Sequence, residues 1–123
     1  MDYKIELIII PVTDIDRAKA FYVDQVGFNA DFDHRVNDQI RFVQLMPPGS
    51  ACSIAFGQGL TDAEPGSVKG IQVVVASADQ ARAELSAAGV AVSDVDSQVW
   101  GRFVHFADPD GNAWTLQELP DRS

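Results

Sequence analysis

The stretch HFADPDGNAWTLQEL, His105 to Leu119, reads as strand, tight turn, strand. Asp108-Pro109-Asp110-Gly111 suits a type I turn, with proline at its second position and a glycine free to take positive φ. With Gly111 as the associated bulge, Asp108 pairs with Asn112 and His105 lies opposite Thr115. A two-residue loop would instead turn His105 into the core. The bulged reading separates residue types better, because Trp114 and Leu116 then share one face and Thr115 and Gln117 the other. One side of this hairpin must be covered and the other is polar.

The cover is found upstream, twice. IELIIIPV (Ile5–Val12) and GIQVVVAS (Gly70–Ser77) are apolar, β-branched runs, each followed by a helix start. Thr13 or Asp14 caps the first helix and Ser77 the second, the latter with Gln80 in capping-box spacing. Ile15, Ala18, Tyr22 and Val26 recur at helical spacing, as do Ala78, Ala81, Leu85 and Ala88, and Gly27 and Gly89 stop the two runs. Sliding the chain on itself by 63 residues lays Val12 on Val75 and Asp16 on Asp79, and a shift of 62 lays Gly27 on Gly89 and Gly49 on Gly111. The chain is thus expected to be a single α+β domain over residues 1–123, made of two tandem βαβββ units. The first spans about 4–57 and the second about 69–118, joined by a turn-rich linker at about 58–68.

Composition narrows the partners. A net charge of −9 argues against nucleic acid or an anionic membrane. Cys52 is the only cysteine, which excludes an intrachain disulfide and a cysteine-based zinc site. The MDYKIE start is polar where a signal peptide needs a basic start and an apolar run, and no stretch approaches a membrane span. A cytoplasmic location is the expectation.

Two βαβββ units, the helix VTDIDRAKAFYVDQVGF and the FADPDGN hairpin together resemble the vicinal oxygen chelate superfamily, which includes glyoxalase I, extradiol dioxygenases and bleomycin-resistance proteins. The resemblance covers residues 4 to 118. It implies that the sheets curl into a half-barrel around a cavity with the helices outside, and that two chains pair as a homodimer. It also implies four metal-ligand positions, two on the first strands and two on the last. In this chain they are Leu7, Gly70, Ser53 and Thr115, none a usual ligand for zinc or iron. Glu6 and Glu118 lie out of phase with them. No metal and no cofactor are expected.

The expected cavity floor is therefore Leu7, Ile9, Ser53, Gln72, Val74, His105, Thr115 and Gln117, an apolar wall with a few hydrogen-bonding groups. His105 is open to three roles: a histidine satisfied by a neighbour, a ligand contact, or a general acid–base, for which it is the only candidate. Trp100 lies in a loop able to cover the cavity mouth or to pack. Arg41 is in phase with Val43, taken as the counterpart of His105, where it would either hold an anion or stay solvated. His34, in DFDHRVND, is expected in a hairpin loop. Binding of an apolar or aromatic small molecule is the leading reading. A lyase, isomerase or dioxygenase-type enzyme of the same superfamily with displaced or no metal ligands, and a structural or regulatory homodimer with a vestigial site, are the alternatives.

Overall fold

A computed structural model describes residues 1–120. The first unit contains β1 (Leu7–Ile9), α1 (Ile15–Ala20), which continues as a π-helical segment (Phe21–Val26), β2 (Asn29–Asn37), β3 (Ile40–Met46) and β4 (Ser53–Gln58). The second contains β5 (Ile71–Val74), α2 (Ala78–Ala87), β6 (Asp96–Gln98), β7 (Gly101–Ala107) and β8 (Ala113–Glu118). The repeat is real. Each unit forms a four-stranded sheet, β1-β4-β3-β2 and β5-β8-β7-β6, in which the first strand runs parallel to the last and the other pairs are antiparallel. The fold is α+β, and the sheets do not close into a barrel.

Local chemistry explains the helix starts. Asp14, extended, accepts the Arg17 amide at 3.0 Å, and Ser77 accepts the Gln80 amide at 3.1 Å. Of the two first-helix caps the sequence allows, Asp14 is the one used; Thr13 bonds to Asp110 instead. The π-helical spacing that follows α1 buries the adjacent residues Phe21 and Tyr22 together, and Gly27, at φ 93°, ends the segment.

One core spans both units. Ile10, Val43, Leu45, Ile54 and Phe56 from the first sheet join Val104, Phe106, Trp114 and Leu116 from the second. The first helix sits between them: the Tyr22 ring lies 5.9 Å from Phe56 and 5.8 Å from Trp114, and Phe21 lies 6.2 Å from Phe106. The helix-covered faces of the two sheets therefore look toward each other across the helices. Their open faces look away.

The DPDGN turn fastens this seam. Asp108 is buried and accepts from the Tyr22 hydroxyl and the Asn112 side chain, both at 2.8 Å, and from the amides of Asp110 and Asn112. The Trp114 indole donates to the Tyr22 oxygen at 3.0 Å, and Asn112 donates to the Pro11 carbonyl at 2.8 Å. Asp110 receives the amide and hydroxyl of Thr13. Burial, reinforced by the Asp108 carboxylate, holds the Tyr22 phenol far above the ordinary tyrosine range, so it stays a donor. A buried carboxylate without a cation is tolerable only when its lone pairs are this fully used.

Two expectations fail here. DFDHRVND is not a loop: Asn29–Asn37 form β2, exposed throughout, and His34 pairs with Phe42. A strand with solvent on both faces tolerates polar residues everywhere, so composition imitates a loop. Arg41 does not face the open side. It bonds Asp16 and Asp33, each at 2.9 Å, and Lys19 also reaches Asp33. The Arg41 hydrogen bonds draw the Asp33 carboxyl down to about 2. The misplacement came from β3, where Met46, not Val43, occupies the register of His105: the partner of Ser53 follows from Leu45↔Ile54, whereas His105 pairs with Thr115. Between paired residues the first unit has six residues, from Met46 to Ser53, where the second has nine, from His105 to Thr115, so the shift of 62 breaks across this turn.

Candidate functional site

The hairpin pairs as its turn chemistry requires. Asp108 donates its amide to Asn112, Gly111 takes φ 96°, Phe106 faces Trp114 and His105 faces Thr115. Strand alternation then sends Trp114 and Leu116 into the core and Thr115 and Gln117 to the open face. His105 Nδ1 lies 3.0 Å from the Thr115 hydroxyl, while the His105 amide and carbonyl are held by Ser93. The imidazole is exposed, and its other nitrogen makes no hydrogen bond among the described residues. Alongside, Gln72 pairs with Thr115 in the parallel ladder, Val74 pairs with Gln117, and the Gln72 amide donates to Gln117 at 2.6 Å. Gln117 in turn donates to the carbonyl of Trp100, whose ring stands 63% exposed at the edge of this face.

The open face of the first sheet is built the same way from different residues. Leu7 pairs with Ser53 and Ile9 with Ala55. Ser53 is 1% exposed; its hydroxyl accepts from Gln44 at 3.1 Å and lies 3.8 Å from the Met46 sulfur. Of the eight expected floor residues, Leu7, Ile9 and Ser53 thus lie together on one sheet, and Gln72, Val74, His105, Thr115 and Gln117 lie together on the other. The seam between the sheets separates the two groups within one chain. Sequence alone missed the neighbours that outer strands bring to these faces, Gln44 and Met46 on β3 and Phe103 on β7. Phe103, opposite Gln117, is the signal a strand-phase reading from His105 would have found.

These residues do not fit a divalent metal of the superfamily's kind. Leu7 has no donor, and the Ser53 and Thr115 hydroxyls are engaged by the Gln44 and His105 side chains. The repeat placed the fourth position at Gly70, but the ladder pairs Gln72 with Thr115 as it pairs Leu7 with Ser53. Gln72 therefore holds that register, two residues further along; its NH2 donates to Gln117, and its one carbonyl oxygen, uncharged, is the single such ligand atom at the four positions. Glu118, the nearest carboxylate on β8, points to the helix side and accepts the Ala78 amide at 2.8 Å. No group of three or more His, Cys, Asp or Glu side chains converges among the described residues.

A cleft of about 590 Å³ lies beside β5, between Val26, Phe28, Leu85 and the turn Pro47–Ser50, and shares Gln72 and Val74 with the open face of the second sheet. Its lining on the core side includes Phe106, Trp114 and Leu116, which are buried in the core. The open faces also expose apolar side chains, with Ile9 39% and Val74 62% exposed.

Two units of this topology, each a four-stranded sheet with its first strand parallel to its last, define a glyoxalase-type α+β fold. The chain belongs to the Glyoxalase/Bleomycin resistance protein/Dioxygenase superfamily, whose model matches residues 4–116. It is similar to TnmS3, an antibiotic binding protein from Streptomyces sp. CB03234, at 33% identity and a TM-score of 0.87 over 97% of this chain and 98% of that one. A glyoxalase/bleomycin resistance protein from the same organism is 34% identical, with a TM-score of 0.82 over 94% of this chain and all of that one. The uncharacterized protein YetH of Bacillus subtilis (strain 168) is 25% identical over 94% of this chain and 98% of its own length. No helix of the described residues is long and apolar enough to cross a membrane.

Proposed function

We propose that this protein binds an apolar or aromatic small molecule on its open sheet faces, without a metal, and that it does so as a cytoplasmic homodimer. The observation that carries the reading is the open face of the second sheet. There the hydrogen-bonded pairs His105–Thr115 and Gln72–Gln117 sit beside exposed Val74 and Trp100. Small-molecule sites have this make-up, mostly apolar with a few placed polar groups. The similarity to an antibiotic binding protein at 33% identity supports the same reading. Pairing of two chains, open face of the first sheet against open face of the second, would bring Leu7, Ile9 and Ser53 opposite the remaining five floor residues and shelter Ile9 and Val74 from water.

Three measurements test the proposal. Elemental analysis after dialysis without chelator is expected to find no stoichiometric divalent metal; one zinc, iron or nickel per chain would contradict it. Sedimentation is expected to give a dimer. A screen of aromatic and polycyclic compounds is expected to change tryptophan fluorescence, and binding no tighter than about millimolar across a broad library would favour the vestigial dimer.

A second reading rests on one contact. With His105 Nδ1 bonded to Thr115, the free nitrogen is available as a general acid–base toward a bound substrate. Turnover of a bound compound by wild type and its loss in His105→Gln, with binding retained, would establish that reading.

A further inference from the structure

We propose that ligand selectivity lies in an aromatic group on the outer strands of the first sheet, Phe32, His34 and Phe42, which takes the flat face of a planar aromatic ring. The inference rests on the small-molecule reading above and names the ligand class. β2 is exposed along its whole length, and Phe32 is 51% exposed, so these rings do not serve the core. They are nevertheless assembled. The Phe32 ring lies 6.0 Å from Phe42, edge to face, and 5.7 Å from His34. Register places them on the open face: Phe32 pairs with Gln44, whose amide holds Ser53, and Phe42 pairs with His34 on one side and Gly57 on the other. The path from Ser53 through Gln44 to Phe32 is continuous with the candidate site.

β4 presents no side chain of its own opposite Phe42, because Gly57 stands there, and the Leu60 side chain lies alongside. Any Cβ at that position would run into the Arg41 carbonyl. The Asp33 and Arg41 charges are turned away, paired with each other on the helix side, while Asp31 sits in the bulge between Ala30 and Phe32. What remains facing outward is aromatic surface next to neutral amides. A planar, uncharged polycycle satisfies both, because stacked or edge-on rings gain over a saturated body of equal size.

The test uses aminoanthracene, a neutral planar fluorophore, with adamantanol as a compact saturated competitor. Wild type is expected to bind the fluorophore, and adamantanol to displace it poorly. Phe32→Leu and Phe42→Leu are each expected to weaken binding by up to about tenfold, while Phe32→Tyr retains it. The Phe32 variants are expected to melt with wild type, since Phe32 supports no core. Phe32→Leu binding as wild type while Thr115→Val loses affinity would overturn the aromatic group and leave the small-molecule reading standing. So would displacement by adamantanol as effective as by a second planar compound. A fluorophore ignored by wild type overturns the aromatic group too. The small-molecule reading then falls separately if the wider screen also finds nothing.

Discussion

The seam between the units and the open faces of the sheets are made from the same strands, with opposite chemistry. At the seam, rings stack on rings and every polar atom is used; Asp108 alone collects four hydrogen bonds. On the open faces, Ile9, Phe32, Val74 and Trp100 are left to solvent, and the polar side chains pair with one another and with the Trp100 carbonyl. The residues that make this chain recognisable, those of DPDGN, belong to the seam. The sequence signature therefore reports how the units are joined, while function is left to unmarked positions on alternate residues of the same strands.

Substitutions separate the two regions by what they damage. Asp108→Ala has the largest expected effect. It strips the Tyr22 hydroxyl and the Asn112 side chain of a buried acceptor, and a loss of about 3 kcal/mol or more is expected by denaturant titration. Tyr22→Phe is next, at about 2 kcal/mol, since Asp108 loses a donor and the Trp114 indole its acceptor. The phenol also gives alkaline instability. Its folded pKa is raised above the ordinary 10.0, so its contribution is complete below pH 10 and declines as pH rises beyond it. Stability of Tyr22→Phe is expected to fall less steeply above that pH than that of wild type.

Smaller effects follow on the exposed ion pairs. Arg41→Met is expected to cost about 1 kcal/mol at neutral pH, less in high salt. Asp33 is depressed from 3.8 to about 2, so this contribution is present above pH 3.8 and disappears as pH falls through about 2. Thr115→Val, on the open face, is expected to change stability by no more than ~1.5 kcal/mol and to lower ligand affinity by more than that. Smallest of all is Thr115→Glu toward metals. Leu7, Ser53 and the glutamine pair remain neutral, so calorimetric titration with zinc, nickel or manganese is expected to show no tight site. One-to-one binding would mean that His105 and the new carboxylate chelate across their hydrogen-bonded register.

The turn and its consequences were legible because their causes are local. Pro109 and Gly111 fix the bulge, the bulge fixes the register, and register sends Trp114 inward and Thr115 outward. The helix caps and the repeat were equally plain. The Ser77 box is a side chain reaching its own backbone. What failed depended on partners distant in sequence. His34 was mistaken for a loop residue because β2 has no buried face to impose a pattern. Arg41 and Gly70 were misassigned because the repeat changes length at the turn between β3 and β4 and again before the first helix. The separation of the eight floor residues onto two sheets was invisible, since it arises from Tyr22 and Phe21 packing across the seam.

The central claim is that ligand binding occurs on the open faces rather than in the seam. Amide chemical-shift mapping by NMR during an aminoanthracene titration tests it most directly, because the cleft beside β5 offers the competing site. Shifts concentrated at Leu7, Ile9, Ser53, Thr115 and Gln117, with Val26, Phe28 and Leu85 still, are the predicted result. Shifts concentrated at Val26, Phe28 and Leu85 would place the ligand between the units and contradict the account.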